Sequence, residues 1–272
     1  GYALGFQCAI LPDSTESCMR PDLPDNEQEL LSLRDEYGLL RVSAAGDYRF
    51  LTFGESSEQS CCYLPEPHWL EYDYTRAMLL GCHWAPPSPR AALLGLGAGS
   101  LANALLAHFS PQQLDAVELR PQVLALAREH FALTDDPRLR VHVGCAEQWL
   151  NSAGQPFDLL MVDLYMEGGI SRLQLQADFF RLCRQSLSAQ GVLVINQWQM
   201  GTSGRPYAER QLRSVLGDYL QVQVQEGNML LFAAPEGHSL PLVRAGLRDW
   251  ATGLQASLGY SLQPFVDGLR NS

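Results

Sequence analysis

The stretch Ala91–Leu106, AALLGLGAGSLANALL, decides how the rest of the 272-residue chain is read. Four apolar residues run without a polar break into Gly95, Gly97 and Gly99, and an apolar, alanine-rich segment follows. A short buried run, a glycine turn and a helical pattern predict strand, loop and helix in that order. Glycine at such a junction lets backbone approach a ligand closely, and the N–H groups that open the helix can face it. The spacing admits two registers: G-x-G-x-G over Gly95, Gly97 and Gly99, or the dinucleotide form G-x-G-x-x-A over Gly97, Gly99 and Ala102. Either way, Glu118 lies about 20 residues on, at the end of the next strand, where a carboxylate accepts the hydroxyls of a ribose.

Working outward, the strand-helix alternation continues: strand LDAVEL, helix PQVLALAREHF, strand RLRVHVG, helix AEQWLNS and strand FDLLMVDLY, which places Asp163 at its end. Helix LQADFFRLCRQSL, strand GVLVINQW, a helix near YAERQLRSVLGDY, the strands LQVQVQ and NMLLFAA, and a terminal helix LPLVRAGLRDWATGLQASL complete the run. The two late strands are too close in sequence to be anything but antiparallel. The expected fold class is α/β: a Rossmann-like, seven-stranded, mostly parallel sheet with a C-terminal antiparallel pair, covered on both faces. Upstream, GLLRVSAAGDYRFLTFGESSEQSCCYL alternates apolar and polar residues around turn signals at Ala45-Gly46-Asp47 and Gly54-Glu55, which predicts antiparallel hairpins. EPHWLEYDYTRAMLLGCHW then carries helical spacing, closed by APPSPR. The expected organisation is a flexible lead-in over 1–30, a β-hairpin unit over 31–66 and the Rossmann-like domain over 67–272.

A formal net charge of -11 argues against a general grip on nucleic acid, which needs a basic stripe. All basic residues other than histidine are arginine, so a P-loop lysine and a Schiff-base lysine are both excluded. Seven cysteines contain no CxxC pair, and the six histidines have no ligand spacing, so no metal is expected and the thiols are read as reduced in a cytoplasmic setting. No apolar run reaches the ~18 to 20 residues of a membrane span, so no membrane partner is expected.

With these segments in view, the chain resembles the spermidine synthase (polyamine aminopropyltransferase) family, built on the class I S-adenosylmethionine-dependent methyltransferase fold. The likeness rests on the order and spacing of SSEQ, LEYDY, LLGLGAGS, AVELRPQVLALAREHF, DPRLRVHVGCAEQWL, FDLLMVDLY and GVLVIN. It implies a donor substrate, S-adenosylmethionine or its decarboxylated form, a small-molecule acceptor such as a polyamine, and a homodimer. Gln59 would cover the nucleoside and Tyr72 would lie beside the aminopropyl group. Gly95, Gly97, Ala98 and Gly99 would cradle the methionine-derived part, Glu118 with Leu119 the ribose, and Gly144, Cys145 and Ala146 the adenine. Asp163 would be the catalytic base.

Three positions depart from the family pattern. Ala98 stands where the glycine loop usually carries an acid, Cys145 where the adenine loop carries aspartate, and Met166 where the reaction centre carries its second acid, with Glu167 one step further. Methyl transfer to a small molecule on the same scaffold, a non-catalytic nucleoside-binding protein and a nicotinamide-dependent oxidoreductase are the alternatives that the sequence leaves open.

Overall fold

The computed structural model describes residues 23–55 and 57–272, and only the backbone of 57–59. Residues 1–22 of the expected lead-in lie outside the described residues. Its remainder is partly ordered as a strand, β1 (Gln28–Asp35), which pairs antiparallel with β2 (Gly38–Ala45). β1 escapes a sequence reading because most of its residues stay exposed and only alternate ones, Leu31, Leu33 and Asp35, turn inward. β3 (Tyr48–Phe53) and β4 (Ser57–Tyr63) complete a four-stranded meander, with the hairpin turns at Gly46 and Gly54 where the sequence signals place them. Both glycines adopt the positive φ that other residues avoid.

Where one helix is expected before APPSPR there are two short ones, α1 (Asp73–Met78) and α2 (Gly81–Trp84). The alternating part follows: β5 (Arg90–Leu94), α3 (Ser100–His108), β6 (Gln113–Glu118), α4 (Pro121–His130), β7 (Leu139–Val143), α5 (Ala146–Ser152) and β8 (Phe157–Val162). A two-residue hairpin, β9 (Tyr165–Met166) and β10 (Gly169–Ile170), precedes a 3-10 turn over Arg172–Leu175 and α6 (Ala177–Gln185). Next come β11 (Leu187–Trp198), α7 (Glu209–Leu216), β12 (Leu220–Gln223), β13 (Asn228–Ala233), α8 (Arg244–Leu258), α9 (Gln263–Gly268) and β14 (Arg270–Asn271).

The sheet order is β14-β12-β13-β11-β8-β5-β6-β7. Its seven principal strands run parallel except β13, which is antiparallel to β11 and β12, and β14 adds a two-residue edge. The uninterrupted apolar runs reflect burial on both faces. On β5, Ala91 and Leu93 join one core with Met78, Leu105 and Leu247, while Ala92 and Leu94 join the other with Leu150, Phe180 and Leu212.

The hairpin sheet is packed against the rim of the large one. Leu124 and Ala127 of α4 face the large core, while Val123 and Leu126, with Ala98, pack beneath Leu40, Val42 and Leu51 of the hairpin sheet. A buried ion pair clasps the two layers. Arg120, 2 % exposed, donates from Nε and Nη2 to the Asp35 carboxylate at 2.9 and 2.7 Å and from Nη2 to the Gly38 carbonyl at 3.1 Å. Removing one partner of such a pair leaves the other charge buried, so Arg120→Met is expected to cost about 3 kcal/mol. The check is urea denaturation, where the midpoint should fall at unchanged slope and Asp35→Leu in the same chain should restore part of the loss.

Candidate active site

The site is built where β5, β6 and β8 end side by side. The Gly95 N–H donates to the Val117 carbonyl at 2.8 Å and the Asp163 N–H to the Leu94 carbonyl at 2.8 Å, so the three strand ends stay in register past their last ladder residues. Gly95 has φ +95°, and a Cβ there would collide with the Asp163 carbonyl oxygen. Only glycine lets the loop and the acid-bearing strand meet this closely.

Glu118 ends β6 and is 7 % exposed. Its Oε2 accepts the N–H groups of Leu96 at 3.1 Å and Gly97 at 3.4 Å, and its Oε1 accepts that of Arg120 at 3.0 Å. Burial raises its pKa above the usual carboxylate range, against the pull of these N–H groups and the Arg120 charge. The Ala98 N–H donates to Ser60 Oγ at 3.2 Å and the Gly99 N–H to the Leu96 carbonyl at 3.0 Å. The N–H groups of residues 96–99 are thus engaged within the protein, ahead of those that open α3 at Ser100. What Gly95, Gly97 and Gly99 present to the cleft is backbone without side chains, leading into the first turn of α3.

The cleft is lined by Gly95, Gly97, Gly99, Glu118, Leu119, Gly144, Cys145, Ala146, Tyr72 and Asp163. It thus gathers most of the residues singled out in the sequence. Ala98 is the exception: it is 1 % exposed and packs with Leu40, Val123 and Phe131 between the two layers, away from the cleft wall. Gln59 belongs to β4, and its side chain lies outside the described part of the structure. Glu167, the acid beside the missing one, also leaves the cleft. Its carboxylate accepts the Leu39 N–H at 3.1 Å and lies over Gly38 and Gly54, bridging the tip of the β9–β10 hairpin to the hairpin sheet. Met166 lines the cleft at the position of the second acid.

Several lining residues are assigned no role from the sequence. Ser60, Glu71, Tyr74 and Tyr165 line the cleft too. Tyr72 keeps its hydroxyl buried with no hydrogen-bond partner among the described residues. Burial and the charge of Asp163 raise the pKa of both Tyr74 and Tyr165 well above the ordinary phenol value. Asn196, on β11, donates from Nδ2 to Asp163 Oδ1 at 2.9 Å. Burial pushes the Asp163 carboxyl up to about 6, the Asn196 donor opposes this, and the negative charge of Glu118 adds to it. The carboxylates lining the cleft are Glu71, Glu118 and Asp163, and among the described lining residues there is no basic side chain. Such a cleft favours a cation and disfavours an anion. Among the described residues, no group of three or more His, Cys, Asp or Glu could hold a metal ion, and no helix is long and apolar enough to cross a membrane.

Strand order, glycine loop and paired strand-end acids place the chain in the Rossmann-like methyltransferase fold class. Within that class it belongs to the family described as the spermine/spermidine synthase domain, which matches residues 78–213, half of the chain. A polyamine aminopropyltransferase from Vibrio vulnificus is 29% identical over 235 residues, covering 83% of this chain and 76% of that protein. One from Chromobacterium violaceum is 27% identical over 235 residues, covering 86% and 90%. The spermidine synthase structure from Thermotoga maritima superposes with a TM-score of 0.69 at 14% identity, covering 89% of this chain and 84% of that one, a likeness of fold.

The raised pKa of Asp163 has a consequence for stability. A carboxyl whose folded pKa is raised from 3.8 to about 6 favours the fold while protonated, and that contribution is lost as pH rises through about 6. Asp163→Asn is therefore expected to stabilise the unliganded protein at pH 7 by on the order of 2 kcal/mol and to change little at pH 4. Thermal unfolding of both proteins across this pH range checks the sign.

Proposed function

We propose that the chain transfers the aminopropyl group of decarboxylated S-adenosylmethionine to a small amine, leaving methylthioadenosine. The charge of the cleft carries the reading. Its lining acids suit a sulfonium and two amino groups, and no lining side chain among the described residues offers a cation to the α-carboxylate that undecarboxylated S-adenosylmethionine would bring. The loop N–H groups that could serve instead are engaged with Glu118, Ser60 and Leu96. The names of the curated relatives, all within the transferase class, support the same reaction.

In this reading Glu118, whose Oε2 already accepts Leu96 and Gly97 and whose Oε1 accepts Arg120, offers the remaining lone pair of Oε1 to a ribose hydroxyl. Leu119 and the segment Gly144, Cys145 and Ala146 lie beside the adenine, and Gln59 covers the nucleoside. Tyr72, whose hydroxyl lacks a partner among the described residues, accepts a hydrogen bond from the donor's amino group. The bound sulfonium supplies a carbon activated for displacement: the acceptor nitrogen bonds to it, the carbon–sulfur bond breaks and sulfur keeps the electron pair. Asp163 takes the proton that the attacking ammonium must lose. A pKa near 6 suits this work, because the group is mostly ionised at pH 7 and still a competent base.

The test is incubation with decarboxylated S-adenosylmethionine and a panel of mono- and diamines, following methylthioadenosine by chromatography. Amine-dependent release should rise with pH through about 6 as Asp163 ionises. Glu118→Ala should weaken methylthioadenosine binding at least about tenfold, whereas Asp163→Asn should leave binding intact and lower kcat about 100-fold or more. Formation of S-adenosylhomocysteine from S-adenosylmethionine, with no aminopropyl transfer, would overturn the reading in favour of methyl transfer.

A further inference from the structure

Behind Asp163 lies a polar chain that takes no part in lining the cleft. Asn196 is 0% exposed on β11, and Asn228, 7% exposed, starts β13. Asn196 Nδ2 donates to Asp163 Oδ1 at 2.9 Å, Asn228 Nδ2 donates to Asn196 Oδ1 at 2.9 Å, and the same Asn228 nitrogen donates to the Tyr165 hydroxyl at 3.1 Å. We infer that Asn196, oriented by Asn228, is the positioning residue that holds Asp163 ready to accept a proton, an inference that rests on the transfer reaction proposed above.

The direction of the chain makes the case. An amide can be turned over to exchange its oxygen and nitrogen, but turning Asn196 over would set its NH2 against that of Asn228 and its oxygen against the Asp163 carboxylate. An ionised Asp163, which only accepts, selects the NH2 of Asn196, and Asn228 meets the Asn196 oxygen with its own NH2. A donor thus stands on Oδ1 of Asp163, leaving Oδ2 for the incoming amine. The donor is also neutral. An arginine or lysine there would favour the carboxylate so strongly that it would cease to be a useful base, and its charge would oppose a cationic substrate.

The other groups facing Asp163 are Glu118 from β6, Tyr74 from α1 and Tyr165 from β9. β5 brings the Gly95 backbone against it. The backbone beside Asp163 is held separately, by the buried Gln174 accepting the Leu164 N–H at 2.8 Å and donating to the Asn196 carbonyl at 2.6 Å. Loss of the Asn196 side chain therefore acts on the carboxyl and spares the main chain.

The experiment is a carbon-13 NMR titration of the unliganded full chain labelled at aspartate carboxyls, with the Asp163 signal assigned by its absence in Asp163→Asn. Removing a hydrogen bond to the charged form should move the Asp163 midpoint upward by about one unit in Asn196→Leu. In Asn228→Leu the shift should be smaller, since the Asn196 amide then turns freely. The lower limb of the kcat profile should move with the midpoint, while methylthioadenosine affinity stays within about twofold, a split that a purely structural role would not give. Unmoved midpoints in folded Asn228→Leu and Asn196→Leu proteins would overturn the inference, and should Asn196→Leu fail to fold, Asn228→Leu and Asn228→Ser decide it alone. Absence of any aminopropyl transfer by the unsubstituted protein sinks the functional reading, whereas the titration still tests the orientation of Asp163.

Discussion

The carboxylate of Glu118 is the hub on which the cleft depends. It is buried at a strand end, where an isolated charge would be costly, and the cost is offset by the N–H groups of Leu96, Gly97 and Arg120. Those bonds fix the glycine loop, and the loop in turn lies against Asp163 through Gly95. Two acids on β6 and β8 are thus held across the single strand β5. Each raises the other's cost of ionising, as the contribution of Glu118 to the pKa of Asp163 records. A cation between them relieves both. The unliganded cleft therefore stores unfavourable charge that a sulfonium or ammonium ligand releases, which is the usual opposition between stability and function at a polar site.

The hairpin sheet is tied to the same hub. Arg120 follows Glu118 by two residues, and its guanidinium reaches Asp35 and Gly38 at the β1–β2 turn. Ser60 on β4 accepts the Ala98 N–H, and Ser100 donates to the Cys61 carbonyl at 2.8 Å. From the other side of the cleft, Glu167 accepts the Leu39 N–H. The sheet is thus anchored beside Glu118, at the glycine loop and at the segment that follows Asp163. Together these contacts fix the hairpin sheet over the rim of the cleft.

The parts of this arrangement that local sequence encodes are the parts that could be read from it. The run Ala91–Leu94, the glycine spacing and the acids Glu118 and Asp163 follow from strand burial and from the place where strands end, both local properties. Ala98 shows the limit: its sequence neighbours face the cleft, yet its methyl group faces Val123 and Phe131 because the loop turns through positive φ on either side of it, at Gly97 and Gly99. Glu167 has the same lesson, since only the spatial approach of Gly38 and Gly54 reveals where its carboxylate goes. Asn196 and Asn228 meet through the antiparallel register of β11 and β13, in which Asn196 opposes Leu230 and Asn228 opposes Trp198. The two asparagines are diagonal neighbours on one face, a relation that no spacing in the chain reports.

The replacement of the second acid by Met166 gains a physical meaning from this network. Two carboxylates near one another at a reaction centre share a proton, and one of them is kept neutral by the other. With a thioether in place of one, Asp163 need not share, and the ionisation of the centre is governed by burial, by Glu118 and by one amide donor. Met166 adds apolar surface to a cleft lining that also includes Leu164, Leu173 and Tyr165.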